Sequence, residues 1–206
     1  MKDLFVTGIG TDIGKTVVSA ILTEALQADY WKPVQAGSLE MTDSQRVKRL
    51  VSNARTVFHP EAYLLEAPMS PHAAAALAGQ EITLDSIRLP QTPNRLVVEG
   101  AGGLLVPLNA RHLVVDLIQH LQLPVVVVVA HYLGSINHTL LTLEALRSRN
   151  IPVRGLIFNG APNPASEAYI LAYSGIPKLL SVLPEKDLSP AIIKKYAAQI
   201  TGIREQ

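Results

Sequence analysis

Residues 125–129 are five consecutive valines, flanked by Leu123, Pro124 and Ala130. A β-branched side chain loses χ1 freedom in a helix. A run without polar alternation has no face to offer water if it is a strand. Residues 123–130 therefore read as a central strand buried on both faces, the position found in parallel sheets. Parallel strands need crossover connections of a dozen or more residues, usually helices. The chain supplies them in alternation. Strands are expected at 4–7, 30–32, 95–99, 153–159 and 179–183. Helical periodicity falls at 15–27, 113–121, 135–149, 165–173 and 190–199. This β-α alternation predicts an α/β fold of three layers, a mainly parallel central sheet with helices on both faces.

The 206 residues fit a single domain spanning 1–206. Residues 33–93 are rich in proline and less regular, with helical candidates at 43–52 and 72–78; they read as an insertion beside the site. The chain has no cysteine, which excludes disulfides, thiolate metal sites and a cysteine nucleophile. Its net charge of +1, without a Lys/Arg cluster, argues against nucleic-acid binding. No apolar run approaches the roughly 18 residues of a membrane span. The start of the chain carries no signal-peptide pattern. A cytoplasmic protein with no membrane partner is expected.

The segment most informative about chemistry is Thr7-Gly8-Ile9-Gly10-Thr11-Asp12-Ile13-Gly14-Lys15-Thr16. It follows an expected strand and opens an expected helix, the context of a phosphate-binding loop. Unsatisfied N–H groups and the helix dipole favour an anion there. Lys15 would reach the β- and γ-phosphates, and the Thr16 hydroxyl would bind Mg²⁺. The spacing is not strict, because Ile9 stands where the G-x4-G-K-[ST] pattern has glycine. Residue 10 is glycine, where ATPases of the chromosome-partitioning class carry a signature lysine.

Phosphoryl transfer also needs an acid at the end of a neighbouring strand. Glu99 closes Leu96-Val97-Val98-Glu99 before the glycine-rich turn Gly100-Ala101-Gly102-Gly103. Its competitor, Asp116, lies in a segment whose Leu113, Val114, Leu117, Ile118 and Leu121 share one helical face, so Glu99 is preferred. Taken alone, Lys32 reads as a solvated strand end and Asp43 as a helix N-cap. The six histidines show no metal-ligand spacing.

These motifs, with Lys32-Pro33-Val34, Ser70-Pro71-His72 and Leu133-Gly134-Ser135-Ile136-Asn137-His138, resemble the dethiobiotin synthetase family in order and separation, over residues 4 to about 184. The resemblance implies an ATP- and Mg²⁺-dependent ligase that joins 7,8-diaminononanoate and CO₂ into dethiobiotin, releasing ADP and phosphate. It also implies a homodimer that shares its substrate sites. Lys15 and Lys32 are then the catalytic cations, and Thr16, Asp43 and Glu99 hold the metal. The nucleotide lies against Asp12, Ile13, Gly14, Lys15, Thr16, Val17, Asp43, Glu99, Gly100, Ala101 and Gly102, with Asn159 and Pro184 at the adenine. Thr11, Asp12 and Lys32 meet the amine or carbamate end. Gly134, Ser135, Ile136 and Asn137 meet the substrate carboxylate, with Ser135 as a possible N-cap of the helix that follows. The chain departs from the family's pattern at Asp12 (often glutamate), at Ala36 (often a hydroxyl residue, a contact that Ser38 could supply) and at Tyr132 (where a lysine can stand). A nucleotide-switched ATPase of the partitioning or carrier type is the alternative.

Overall fold

The computed structural model describes residues 3–200. Seven strands form one sheet: β1 (Leu4–Gly8), β2 (Asp29–Trp31), β4 (Phe58–His59), β6 (Leu96–Glu99), β7 (Val125–Ala130), β8 (Val153–Asn159) and β9 (Lys178–Val182), in the order β4-β2-β6-β1-β7-β8-β9. Among the described residues every ladder of this sheet is parallel. A separate pair, β3 (Val34–Ala36) and β5 (Tyr63–Leu65), is also parallel. The helices are α1 (Lys15–Leu26), α2 (Asp43–Leu50), α3 (Pro71–Leu77), α4 (Val114–Leu121), α5 (Ser135–Arg147), α6 (Pro164–Ser174) and α7 (Pro190–Gln199).

The valine run behaves as its composition requires. Val125, Val127 and Val129 enter a core shared with α4, α5 and α6. Val126 and Val128 enter a second core shared with α1, α2 and α7. Successive side chains of a strand point to opposite faces, so one uninterrupted run feeds both cores. All five valines are fully buried, and each is worth roughly 1.5 kcal/mol or more. Residues 33–93 build no core of their own. Val34, Leu65, Ala74, Ile82 and Ile87 join the first core beside Phe5 and Val98.

Three local features differ from the sequence expectations. Strands β3, β4 and β5 were not anticipated, because two or three residues carry no readable period. The N-cap of α2 is Thr42, not Asp43. The Thr42 hydroxyl accepts from the Gln45 amide at 3.2 Å, and the Gln45 side chain accepts from the Thr42 amide at 3.0 Å. The N-cap of α5 is Gly134 at φ 98°, which makes Ser135 the first helical residue. A left-handed backbone selects glycine over the serine whose side chain favours caps.

The leading end of β2 is anchored by Asp29, which is fully buried. Its Oδ1 accepts from the Val57 amide and from Asn94 Nδ2, both at 2.9 Å. Its Oδ2 accepts from Thr92 Oγ1 at 2.6 Å and meets His59 Nε2 at 3.0 Å. Burial works to raise this carboxyl, but the bonds from Thr92, Val57, Asn94 and His59 outweigh it and hold Asp29 below the usual aspartate range. As pH falls below about 4, the unfolded chain takes up this proton before the folded one does, and the stabilisation is lost through the folded value. Asp29→Ala is expected to cost about 3 kcal/mol, since it orphans several buried donors at once. Urea unfolding at pH 7 measures it; a loss under 1 kcal/mol would contradict this account.

Candidate active site

Because the sheet is parallel, the carboxyl ends of β1, β2 and β6 lie on one edge, and the site is built there. Gly14 caps α1 at φ 92°. A side chain at Gly14 would run into the Asn159 amide, and one at Gly8 into Ile13. Gly14 is required by its left-handed backbone and by the approach of Asn159, whereas at Gly8 the neighbour is the movable end of the Ile13 side chain. Asn159, at the end of β8, donates its amide to the Ile13 carbonyl at 2.9 Å and props the loop from the side.

Lys15 folds back over the loop and donates to the Gly10 carbonyl at 2.8 Å. Burial first, then repulsion from Lys32, lowers its ammonium to about 8, against the pull of Glu99, Asp43 and Asp12. Between about 8 and its ordinary value of 10.5 the unfolded chain holds the extra proton. Stability therefore rises with pH through that window, and at pH 7, below both values, the full cost of the buried charge is present. The buried cation is a cost that an arriving phosphate would offset. Lys15→Met is thus expected to raise the thermal midpoint of the nucleotide-free protein at pH 7 by roughly 2–4 °C per kcal/mol relieved. Calorimetry showing an unchanged or lower midpoint would oppose this reading.

The acids converge on Lys32. Its ammonium lies 2.6 Å from Asp43 Oδ2 and 3.1 Å from Glu99 Oε1, and it donates to the Gly100 carbonyl at 3.2 Å. Lys32 is 4% exposed and Glu99 is 1% exposed. Burial opposes the charge on Lys32, but attraction from Glu99 and Asp43 wins and raises its ammonium above the ordinary lysine value. Burial likewise opposes ionisation of Asp43; Lys32, Thr16 and Arg46 outweigh it and lower the carboxyl. Thr16 Oγ1 donates to Glu99 Oε1 at 3.0 Å. Asp43 and Glu99 meet at the Lys32 ammonium and the Thr16 hydroxyl bonds Glu99, so two carboxylates and a hydroxyl lie together, a donor set that fits Mg²⁺.

These groups open on a cleft of about 720 Å³, within the usual range for small-molecule sites. Thr11, Asp12, Gly14, Lys15, Thr16, Val17, Lys32, Asp43, Glu99, Ala101 and Gly102 all line it. Ala36 and Ser38 line it together, so a hydroxyl stands near the position where Ala36 lacks one. Ile13 is buried below the loop. Gly134, Ser135, Ile136, Asn137 and Pro184 lie outside the cleft's lining. Gly134 opens α5 just after β7, on the same sheet edge, and Pro184 follows β9. His72 is exposed on α3. Asp116 accepts from the Leu113 amide at 2.7 Å and caps α4.

Sequence reasoning missed three contributors. Tyr30 donates its hydroxyl to Glu99 Oε2 at 2.9 Å. Gln35 accepts from the Asp43 amide at 3.2 Å while donating to the Gly37 carbonyl at 2.9 Å, which pins the start of α2. Arg46 lines the cleft one helical turn after Asp43. Only Arg46 carried a signal, its i+3 spacing from Asp43.

Residues 2–191 match a family model described as AAA domain. The chain is 53% identical over 201 residues to the ATP-dependent dethiobiotin synthetase BioD of Cytophaga hutchinsonii, covering 97% of this chain and 97% of the relative. It is 48% identical over 193 residues to the protein of the same name from Paramagnetospirillum magneticum, covering 94% and 93%. Among solved structures, a ParA family ATPase from Chlorobium tepidum TLS aligns with a TM-score of 0.57 at 11% identity, over 100% of this chain and 94% of that one. A putative plasmid partition protein from Borrelia burgdorferi B31 aligns at 0.56 with 12% identity, over 96% and 94%. At such identities the structural likeness is one of fold alone.

Proposed function

Since the chain belongs to the dethiobiotin synthetase family, we propose that it catalyses the ATP-dependent closure of the dethiobiotin ring from 7,8-diaminononanoate and CO₂. The observation that supports this reading is the placement of Lys15 and Lys32 in the lining of one cleft, with Lys32 bound to both Asp43 and Glu99.

One amine of the diamine takes up CO₂ and loses a proton, giving a carbamate. A carbamate oxygen attacks the γ-phosphorus; the bond to ADP breaks and a carbamic–phosphoric anhydride forms. The second amine attacks the anhydride carbon, the carbon–oxygen bond breaks, and phosphate leaves as the ring closes. The repulsion between carbamate and γ-phosphate is the main electrostatic obstacle. Lys15 on the phosphates and Lys32 between them offset it, in a partly water-excluded site where charge is worth more than in water. Holding the reactants together supplies much of the remainder. Thr16, Asp43 and Glu99 would hold Mg²⁺, which when bound adds positive charge beside the triphosphate. Asn159 has committed its amide NH₂ to Ile13, which leaves its carbonyl to accept from the exocyclic amine of adenine, with Pro184 bordering the base. Thr11 and Asp12 face the amine end.

The active form in this reading is a homodimer in the cytoplasm, each chain one domain with 33–93 as an insertion beside the site. Leu133 is fully exposed, and Tyr132, Leu141, Tyr169 and Tyr173 are also exposed on and around α5 and α6. An apolar face of this kind suits contact with a second copy. It would bring Gly134, Ser135, Ile136 and Asn137 to the partner's cleft, where the N-terminal amides of α5 receive the substrate carboxylate. Among the described residues no helix is long and apolar enough to cross a membrane.

A nucleotide switch of the partition-ATPase kind, whose fold the chain shares, is the second reading. Against it stands Gly10, whose carbonyl here accepts from Lys15. Incubation with ATP, Mg²⁺, bicarbonate and the diamine, followed by mass spectrometry, tests the proposal. It expects a product equal to diamine plus CO₂ minus water; recovery of unreacted diamine would overturn it.

A further inference from the structure

We propose that Tyr30 is a positioning residue for Glu99: its hydroxyl engages one carboxylate oxygen and thereby settles which oxygen faces the nucleotide and its cation. The inference rests on the reading above, in which Glu99 helps to hold Mg²⁺.

Tyr30 lies in the middle of β2 and is fully buried. It pairs with Val97 on β6, so Glu99, two residues further along, presents its side chain on the same face. The Tyr30 ring packs against Phe58, with centroids 5.9 Å apart. That packing leaves the hydroxyl aimed at Glu99 Oε2, 2.9 Å away. The other oxygen, Oε1, takes Thr16 and Lys32 at 3.0 and 3.1 Å. The carboxylate is therefore divided: Oε2 is turned to the interior and Oε1 to the cleft. Oε1 accepts from both Thr16 and Lys32, and a rotation of the group that moved either donor onto Oε2 is opposed by the Tyr30 bond. Without its hydroxyl, Oε2 would be buried with no donor, and rotation towards the cleft would relieve that cost. Groups that orient a metal ligand in this manner typically change metal affinity by about 10–100-fold when removed.

The test is Mn²⁺ titration, followed by electron paramagnetic resonance, of the full-length protein saturated with a non-hydrolysable ATP analogue. Tyr30→Phe, Glu99→Gln and Phe58→Leu are compared with the parent, and each melting curve is recorded. Tyr30→Phe is expected to weaken Mn²⁺ binding about tenfold and to raise the Mg²⁺ needed for half-maximal turnover similarly, with kcat largely recovered at saturating metal. Phe58→Leu, which loosens the same packing but keeps the hydroxyl, is expected to melt earlier with Mn²⁺ affinity unchanged. Parental Mn²⁺ affinity in Tyr30→Phe, with weakened affinity in Glu99→Gln, would overturn the role of Tyr30 and leave the cation site standing. Parental affinity in Glu99→Gln would remove the cation site and the inference with it. Equal weakening in Phe58→Leu and Tyr30→Phe would assign the effect to packing and overturn the inference.

Discussion

Lys15→Ala should abolish turnover, with kcat lowered by roughly a thousandfold or more, the scale expected when a charge stabilising a transferring phosphoryl group is removed. The side chain already lies over the loop, donating to the Gly10 carbonyl. A phosphate entering the loop would exchange that neutral acceptor for an anion. Burial and Lys32 have lowered the ammonium to about 8, a cost that an anion on the loop would offset. The loss should therefore appear in ATP affinity as well as in kcat. Steady-state kinetics with an independent ATP-binding measurement would separate the two. Full activity in Lys15→Ala would remove the phosphate-loop argument altogether.

Lys32→Ala should fail differently. The ammonium stands between Asp43 and Glu99 and on the Gly100 carbonyl, in the lining of the cleft, and in the proposed reaction it offsets the repulsion between carbamate and γ-phosphate. Turnover is expected to fall by roughly a hundredfold or more, the scale of one lost electrostatic stabiliser, while ATP still binds through the loop. A fall in kcat without a matching loss of ATP binding marks an interaction made in the transition state. The same change leaves the buried Glu99 facing the half-buried Asp43 without their shared cation, so stability should drop by about 3 kcal/mol. ATP binding, measured below the lowered midpoint, distinguishes a folded but inactive enzyme from an unfolded one. Arginine is a poor rescue, because a planar guanidinium does not fit a point-charge site of this size. Unaffected turnover in Lys32→Ala would break the assignment at that position.

How much of this was legible in the sequence depends on how local each signal is. Gly14-Lys15-Thr16 at a strand-to-helix junction announces the loop within a few residues, and the valine run announces a doubly buried strand. Glu99 was separable from Asp116 because helical periodicity placed Asp116 on a helix, where it caps α4. Lys32 and Asp43 were different. Alone they looked like a strand end and a helix cap, and only family resemblance joined them. The structure supplies the missing link through β2 lying beside β6, which brings Lys32 to Glu99 across 67 positions. The same pairing makes the Tyr30–Glu99 bond, and no period in the sequence reports it. The N-cap of α2 was readable in principle, since Thr42 and Gln45 carry the spacing of a capping box. At α5 the side-chain preference for Ser135 lost to the left-handed backbone of Gly134.

The central claim is that phosphate release is coupled to ring closure. Its most direct test is phosphate release from ATP and Mg²⁺ by the purified protein, with diamine and bicarbonate present together and each omitted in turn. The account predicts release only when both are present, one phosphate for each dethiobiotin formed. Release at the same rate without the diamine would contradict it and leave the chain a P-loop nucleotidase with an unknown partner.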